Sequence, residues 1–212
     1  MNVNRLKTQL QAIAYQFKGH LWFALDEQYE IRKKVFNHAI NNDPVVIIEA
    51  FCEQDVCLAI KFANLHSLPI SVKGGGHSNT GSCVVNDGIV LDMSLFKFIA
   101  LADDRKSVVI GAGVKMIDAQ GTKLVVNSFS NPDLFWALSG GGGCQFGVIT
   151  EITLKVHHIP PTVMGGIIEW PISEAKKVLK QYSDEVLNSA RDYFLYAYIS
   201  RASKDQEKIS IM

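Results

Sequence analysis

The chain has 212 residues, 48% of them hydrophobic, enough for one ordinary domain with a core or for two small ones. Lys plus Arg and Asp plus Glu each number 21, so the formal net charge is zero and a nucleic-acid partner is not expected. No apolar run reaches membrane-spanning length, and residues 1–11 lack the apolar core and cleavage site of a signal peptide, so a cytoplasmic protein with no membrane contact is expected.

Residues 4–18 place Leu6, Leu10, Ile13 and Phe17 at helical spacing, and Gly19 stops the pattern. A second helix is expected after Asp26, with Tyr29, Val35, Phe36 and Ile40 on one side, until Asn41-Asn42-Asp43-Pro44 breaks it. The β-branched run Val45–Ile48 reads as a buried strand. Glu53–His66 has helical periodicity through Val56, Ile60, Phe62 and Ala63, and Leu68–Val72 is a second strand, making a β-α-β unit.

At the end of that unit lies Lys73-Gly74-Gly75-Gly76-His77-Ser78-Asn79-Thr80-Gly81. Three consecutive glycines let several backbone N–H groups converge on one anion, and His77 and Ser78 set a nucleophilic ring and a hydroxyl beside them. A Rossmann site does not fit, because its GxGxxG must open a helix directly, whereas Asn79, Thr80 and Ser82 lead into further strands.

Short strands follow at Ile89–Met93, Phe98–Ala102 and Ser107–Ile110, the last ended by Gly111-Ala112-Gly113. A hairpin-like pair straddles Gln120-Gly121, and Asn131-Pro132-Asp133 opens a short helix over Leu134–Leu138. Phe135 and Trp136 on that helix read as core, because aromatic side chains dominate core burial. The second glycine cluster, Gly140–Gly143, leads into a strand with alternating Ile152, Leu154 and Val156, and His157-His158 read as junction residues. Pro160-Pro161 marks a boundary, followed by an expected strand (Val163–Trp170), a helix (Ser173 to about Ala190) and a strand (Tyr193–Ile199) whose Tyr193, Tyr196 and Tyr198 read as packing residues. Ile209–Met212 reads as a strand with an exposed edge. Cys52, Cys57, Cys83 and Cys144 form no CxxC pair and are not spaced from a histidine like zinc ligands, so they read as structural thiols and no metal is expected.

The blocks VKGGGHSNTG, GIVLDMS, SVVIGAG, NPDLFWALSGGGG and FGVITEITLKVHHIP, preceded by Tyr29, Arg32, Phe36-Asn37 and Ile40, stand in the order found in FAD-linked oxidases of the berberine-bridge-enzyme type. The chain therefore resembles that group, within the vanillyl-alcohol-oxidase flavoprotein family, from about Leu6 into the segment after Pro160. The resemblance implies an α+β protein: a PCMH-type FAD-binding domain of two α/β subdomains, the second incomplete, followed by the beginning of an α+β substrate domain. In residue ranges this is an N-terminal helical segment (1–40), the FAD-binding domain (41–159) and the start of the substrate domain (160–212).

The same resemblance implies that Lys73, Gly74, Gly75, Gly76, His77, Ser78, Asn79, Thr80 and Gly81 wrap the FAD pyrophosphate, with His77 bonded to the flavin 8α-methyl. A neutral imidazole suits that nucleophilic role. Gly113, Gly147 and Ile149 are implied as further cofactor contacts, Gly140–Gly143 as a place of close backbone approach, and hydride abstraction from a small alcohol, sugar or amine as the reaction, with O₂ or another acceptor reoxidising the flavin. Two departures stand against this. Val114-Lys115 runs straight into Met116 where the family has several dozen more residues, and the family continues well past the position of Met212, so no catalytic base is assigned. The resulting expectation is a poorly stable product, since each Leu- or Val-sized side chain left exposed forgoes about 1.5–3 kcal/mol against a domain stability of about 5–15 kcal/mol. The competing expectations are a non-catalytic FAD- or nucleotide-binding remnant, and one half of a split oxidase whose partner chain pairs with the edge near Ile209–Met212.

Overall fold

Three short segments end alike: Val46–Glu49 (β2), Ile70–Lys73 (β3) and Ile89–Asp92 (β4) each place a charge after β-branched or apolar residues. The computed structural model, which describes residues 3–117, 120–143, 145–190, 194–203 and 206–211, pairs these three in parallel with β4 in the middle. His20–Trp22 (β1) adds an antiparallel edge to β2, so the order is β1-β2-β4-β3. All four residues of β2 and of β4 are buried, as parallel strands covered on both faces require.

Strand alternation sorts the side chains between two cores. Val46, Ile48, Ile89 and Leu91 meet Leu6 and Leu10 of α1 (Val3–Ile13) and Val56, Ala59, Ile60 and Ala63 of α3 (Glu53–Leu65). Ile47 and Val90 face the other way, onto Tyr29 of α2 (Tyr29–Arg32), Val35, Cys83 and Val84. Asp55, in the first turn of α3, is completely buried and ties the entry of β1 to the start of this helix. Its Oδ1 accepts from Lys18 N–H at 2.8 Å, and its Oδ2 from Gly19, Phe51 and Cys52 N–H at 3.0, 2.8 and 3.3 Å.

A second sheet comprises Ile99–Leu101 (β5), Ser107–Ile117 (β6), Lys123–Val125 (β7) and Val148–Lys155 (β8), all antiparallel, with β6 pairing the other three. It reaches α3 through Glu53, whose carboxylate takes Lys123 Nζ at 2.6 Å and Thr150 Oγ1 at 3.2 Å, and Val148 enters the first core. Residues 1–157 form one unit and 158–212 another. The second holds Ile168–Pro171 (β9), Ala175–Asn188 (α5), Ala197–Ser203 (β10) and Gln206–Ile211 (β11), in an antiparallel sheet of order β10-β11-β9.

Several expectations are corrected. The helix after Asp26 stops at Arg32, because Phe36 N–H and the Asn37 side chain bond to the glycine loop instead of continuing a helical ladder. β6 does not end at Gly111 but runs on to Ile117, and its pairing with β8 slips there: Gly111 faces Glu151 and Met116 faces Ile149, so four residues oppose the single Thr150. Phe135 and Trp136 are exposed, Trp136 by 82%; their helix α4 (Pro132–Leu138) is two turns long and has no buried residue. β9 and β10 start later than expected, at Ile168 and Ala197, the former after Gly165-Gly166. Ile209–Ile211 is not an edge: β11 is paired on both sides and Ile209 is fully buried, so the surface assigned to a partner chain is already occupied by β9 and β10. Cys144, Asp118, Ala119, Tyr193 and Met212 lie outside the described residues.

Because four backbone donors converge on a fully buried Asp55, Asp55→Ala is expected to cost about 3 kcal/mol or more, since each bond to a charged group contributes about 1.5–3 kcal/mol. Urea unfolding of the wild type and the variant measures this directly; equal midpoints would refute the anchoring role.

Candidate functional site

The charges that end the three parallel strands lie side by side. Register places Glu49 opposite Asp92 and Asp92 opposite Lys73, and alternation turns all three toward the face covered by residues 29–40. Glu49 is 2% exposed and Asp92 not at all, so two carboxylates share a dry row. Two cations balance them. Lys73 Nζ donates to Asp92 Oδ2 at 2.9 Å, and Arg32, at the end of α2, donates to Glu49 Oε1. The remaining lone pairs are met by Trp22 Nε1 (3.3 Å to Glu49 Oε2), Ser94 Oγ (3.4 Å to Glu49 Oε1) and Ser94 N–H (2.9 Å to Asp92 Oδ1). The Arg32 guanidinium also lies 5.9 Å from the Trp22 ring centroid.

Directly beyond this row the chain enters the glycine loop. Lys73 is thus the last residue of β3, with its ammonium held below the loop. The N–H groups of Gly75, Gly76 and His77 donate to no group among the described residues, and a side chain at Gly74 would meet nothing within 4 Å. Gly76 and Gly81 both have φ +73°, which only glycine adopts readily, and a Cβ at Gly81 would lie 2.7 Å from the Ile40 side chain. Ser78 Oγ is within hydrogen-bond distance of the Thr80 and Ser82 hydroxyls at 3.3 and 2.9 Å, closing the far side of the loop. A cavity of about 570 Å³ is bordered by Arg32, Lys73, Gly74, Gly75, Ser94 and Lys97.

Residues 35–40 strap the loop down. Phe36 N–H donates to Gly76 O at 2.9 Å, and Asn37 Nδ2 to Asn79 O at 2.8 Å. The Phe36 ring stacks on the exposed His77 imidazole, centroids 5.3 Å apart and planes 21° from parallel. Behind the strap, Tyr29 is buried with its hydroxyl donating to Pro44 O at 2.6 Å; burial pushes its pKa up, and nearby Asp43 adds to this. Lys33 bridges Asp43 and Glu30, which raise its pKa.

The other expected site residues fall elsewhere in the same unit. Gly147, with φ +143°, immediately precedes β8, and Ile149 is its second residue, facing Met116. Gly113 belongs to β6, inside the slipped stretch between Gly111 and Met116. Gly140 and Gly142 also have positive φ, and a side chain at either would meet nothing within 4 Å. Glu49 stands in none of the sequence motifs, and Asp92 and Ser94 (within GIVLDMS), Arg32 and Phe36 enter them only as part of a pattern. The signal for the first two was present: apolar strands that each terminate in a charge.

Residues 44–123 match a family described as the FAD binding domain. The chain is 28% identical over 220 residues to the uncharacterized FAD-linked oxidoreductase YvdP of Bacillus subtilis, covering 79% of this chain and 49% of YvdP. It is 22% identical over 236 residues to (R)-6-hydroxynicotine oxidase of Paenarthrobacter nicotinovorans, covering 86% of this chain and 51% of the oxidase. Among solved structures, 6-hydroxy-D-nicotine oxidase from Arthrobacter nicotinovorans superposes with a TM-score of 0.81 at 19% identity, over 92% of this chain and 55% of that one. The BBE-like 1 protein of Physcomitrella patens gives 0.78 at 18% identity, over 97% and 55%. The chain thus spans about half the length of these relatives. The YvdP alignment engages 79% of 212 residues, about 167, within 220 positions, so roughly fifty positions have no counterpart here. Residues 44–123 thus resemble an FAD-binding domain, and the fold is the one shared by 6-hydroxy-D-nicotine oxidase and the BBE-like 1 protein.

The buried row makes a specific demand on stability. Lys73→Met strands the Asp92 carboxylate and is expected to cost about 3–5 kcal/mol in denaturant unfolding. Adding Asp92→Leu should recover part of that loss; a single variant within about 1 kcal/mol of wild type would show that the pair does not hold the strand ends.

Proposed function

We propose that this chain binds FAD through the loop from Gly74 to Gly81, with His77 as a covalent anchor to the flavin, and that it serves an oxidase-type reaction on a small organic alcohol, sugar or amine. The observation that carries this reading is the loop's unused N–H groups at Gly75, Gly76 and His77, held on strand ends beside an exposed histidine and a cavity with Arg32 and Lys97 at its border. Converging backbone donors near basic side chains suit a pyrophosphate. His77, Ser78, Asn79 and Thr80 follow as cofactor contacts, while Lys73 supports the loop from beneath through Asp92. Gly113, Gly147 and Ile149 are assigned to the cofactor by resemblance.

When bound, the flavin supplies the redox chemistry, accepting a hydride from substrate and passing electrons to O₂ or another acceptor. The protein's part is to hold and orient it. The named activities of the relatives include oxidation of 6-hydroxynicotine, a small cyclic amine, which is consistent with this substrate class. A second reading is FAD binding without turnover. It is favoured by the roughly fifty positions skipped relative to YvdP, by the slip in β6 at the point where the motifs skip a segment, and by exposed Ile99, Leu101 and Trp136 nearby in sequence.

Purified protein is expected to show a flavin absorbance spectrum, with the yellow colour staying in the pellet after acid precipitation. In His77→Ala the flavin should move to the supernatant. Absence of flavin from a folded wild-type protein supplied with FAD would reject the proposal, and flavin binding without oxidation of any alcohol, sugar or amine would favour the second reading.

A further inference from the structure

The strap over the glycine loop contains one feature that loop binding alone does not require. Phe36 N–H already fastens Gly76 O, and Asn37 Nδ2 already fastens Asn79 O, so two hydrogen bonds hold the loop backbone without any help from the Phe36 side chain. The ring nevertheless lies on the His77 imidazole, nearly parallel to it, although the residue is 67% exposed and contributes little to either core. On another side the imidazole folds against Gly75, where an added Cβ would meet His77 Cδ2 at 3.2 Å. The histidine is therefore bounded by an aromatic face and by a position with no side chain. An exposed loop histidine would otherwise sample several staggered rotamers.

We propose that Phe36 is a positioning residue for His77: its ring holds the imidazole in the one orientation from which the covalent flavin bond forms. This rests on the anchoring role of His77 given above. Forming that bond removes one proton from the ring N–H and one from the flavin methyl and leaves two electrons on the flavin, which dioxygen takes up on becoming hydrogen peroxide. A nucleophile held in one orientation gains rate because fewer arrangements are searched before the bond forms. The stacking face acts at that step and not in the binding of FAD itself.

The test adds FAD to flavin-free protein and follows acid-stable flavin against time for wild type, Phe36→Leu, Phe36→Tyr and His77→Ala. Non-covalent FAD affinity in His77→Ala with and without Phe36→Leu, and the melting temperature of each protein, are measured alongside. Phe36→Leu should attach flavin about tenfold more slowly or worse, with affinity and melting temperature unchanged, and Phe36→Tyr should restore the wild-type rate. Attachment in Phe36→Leu at the wild-type rate or faster would overturn the proposal. A slowed rate accompanied by weaker FAD binding or an earlier melt would overturn it equally, by assigning Phe36 to structure. A wild type that binds FAD but never retains it through acid would instead refute the anchoring role of His77, and this inference with it.

Discussion

Two buried carboxylates on adjacent strands impose the constraint that organises the first unit. Glu49 and Asp92 cannot both remain charged in a dry sheet without cations at hand, because desolvation of each ion costs several kcal/mol unless it is paired. Arg32 and Lys73 supply the charges, and they arrive from opposite directions in the chain, one from α2 and one from β3. Trp22 from β1 and Ser94 after β4 satisfy the remaining oxygens. One network thus fixes where four strands end and where α2 must lie.

The glycine loop inherits its position from that network. Lys73 cannot shift without breaking its bond to Asp92, so the three glycines begin from a fixed point at the sheet edge. The segment from Val35 to Ile40, placed by Tyr29 and Arg32 just before it, then closes over the loop with backbone and side-chain bonds. A loop with three glycines is entropically expensive to order. Here much of the order comes from the strap and the sheet beneath, while the N–H groups of Gly75, Gly76 and His77 donate to no group among the described residues.

The second sheet is held differently. Its ties to α3 run through Glu53, which takes buried Thr150 and also Lys123; the Glu53–Lys123 pair is partly solvent-exposed and so contributes less than the buried row. All three residues of β5 are exposed, as are Phe135 and Trp136 of α4, so this half presents apolar side chains that the first sheet keeps inside.

Much was legible in the chain itself. β2, α3, β3, β4 and the hairpin across Gln120-Gly121 follow from periodicity and turn residues, since each is decided by neighbours a few positions away. The glycine loop was legible for the same reason: Gly74 to Gly76 followed by His77 and Ser78 is a local pattern. The extent of α2, the run of β6 through its glycines, the exposure of Trp136 and the central place of β11 were not, because each depends on what packs alongside. Residues 33–40 have helical spacing, yet Phe36 and Asn37 among them bond to a loop some forty positions later. The sequence by itself thus determined which residues could cradle an anion and offer a nucleophile. Only the tertiary structure decided that Glu49, Asp92, Lys73 and Arg32 form one row and that Phe36 lies on His77, because strand register and distant pairing, not local preference, set those distances.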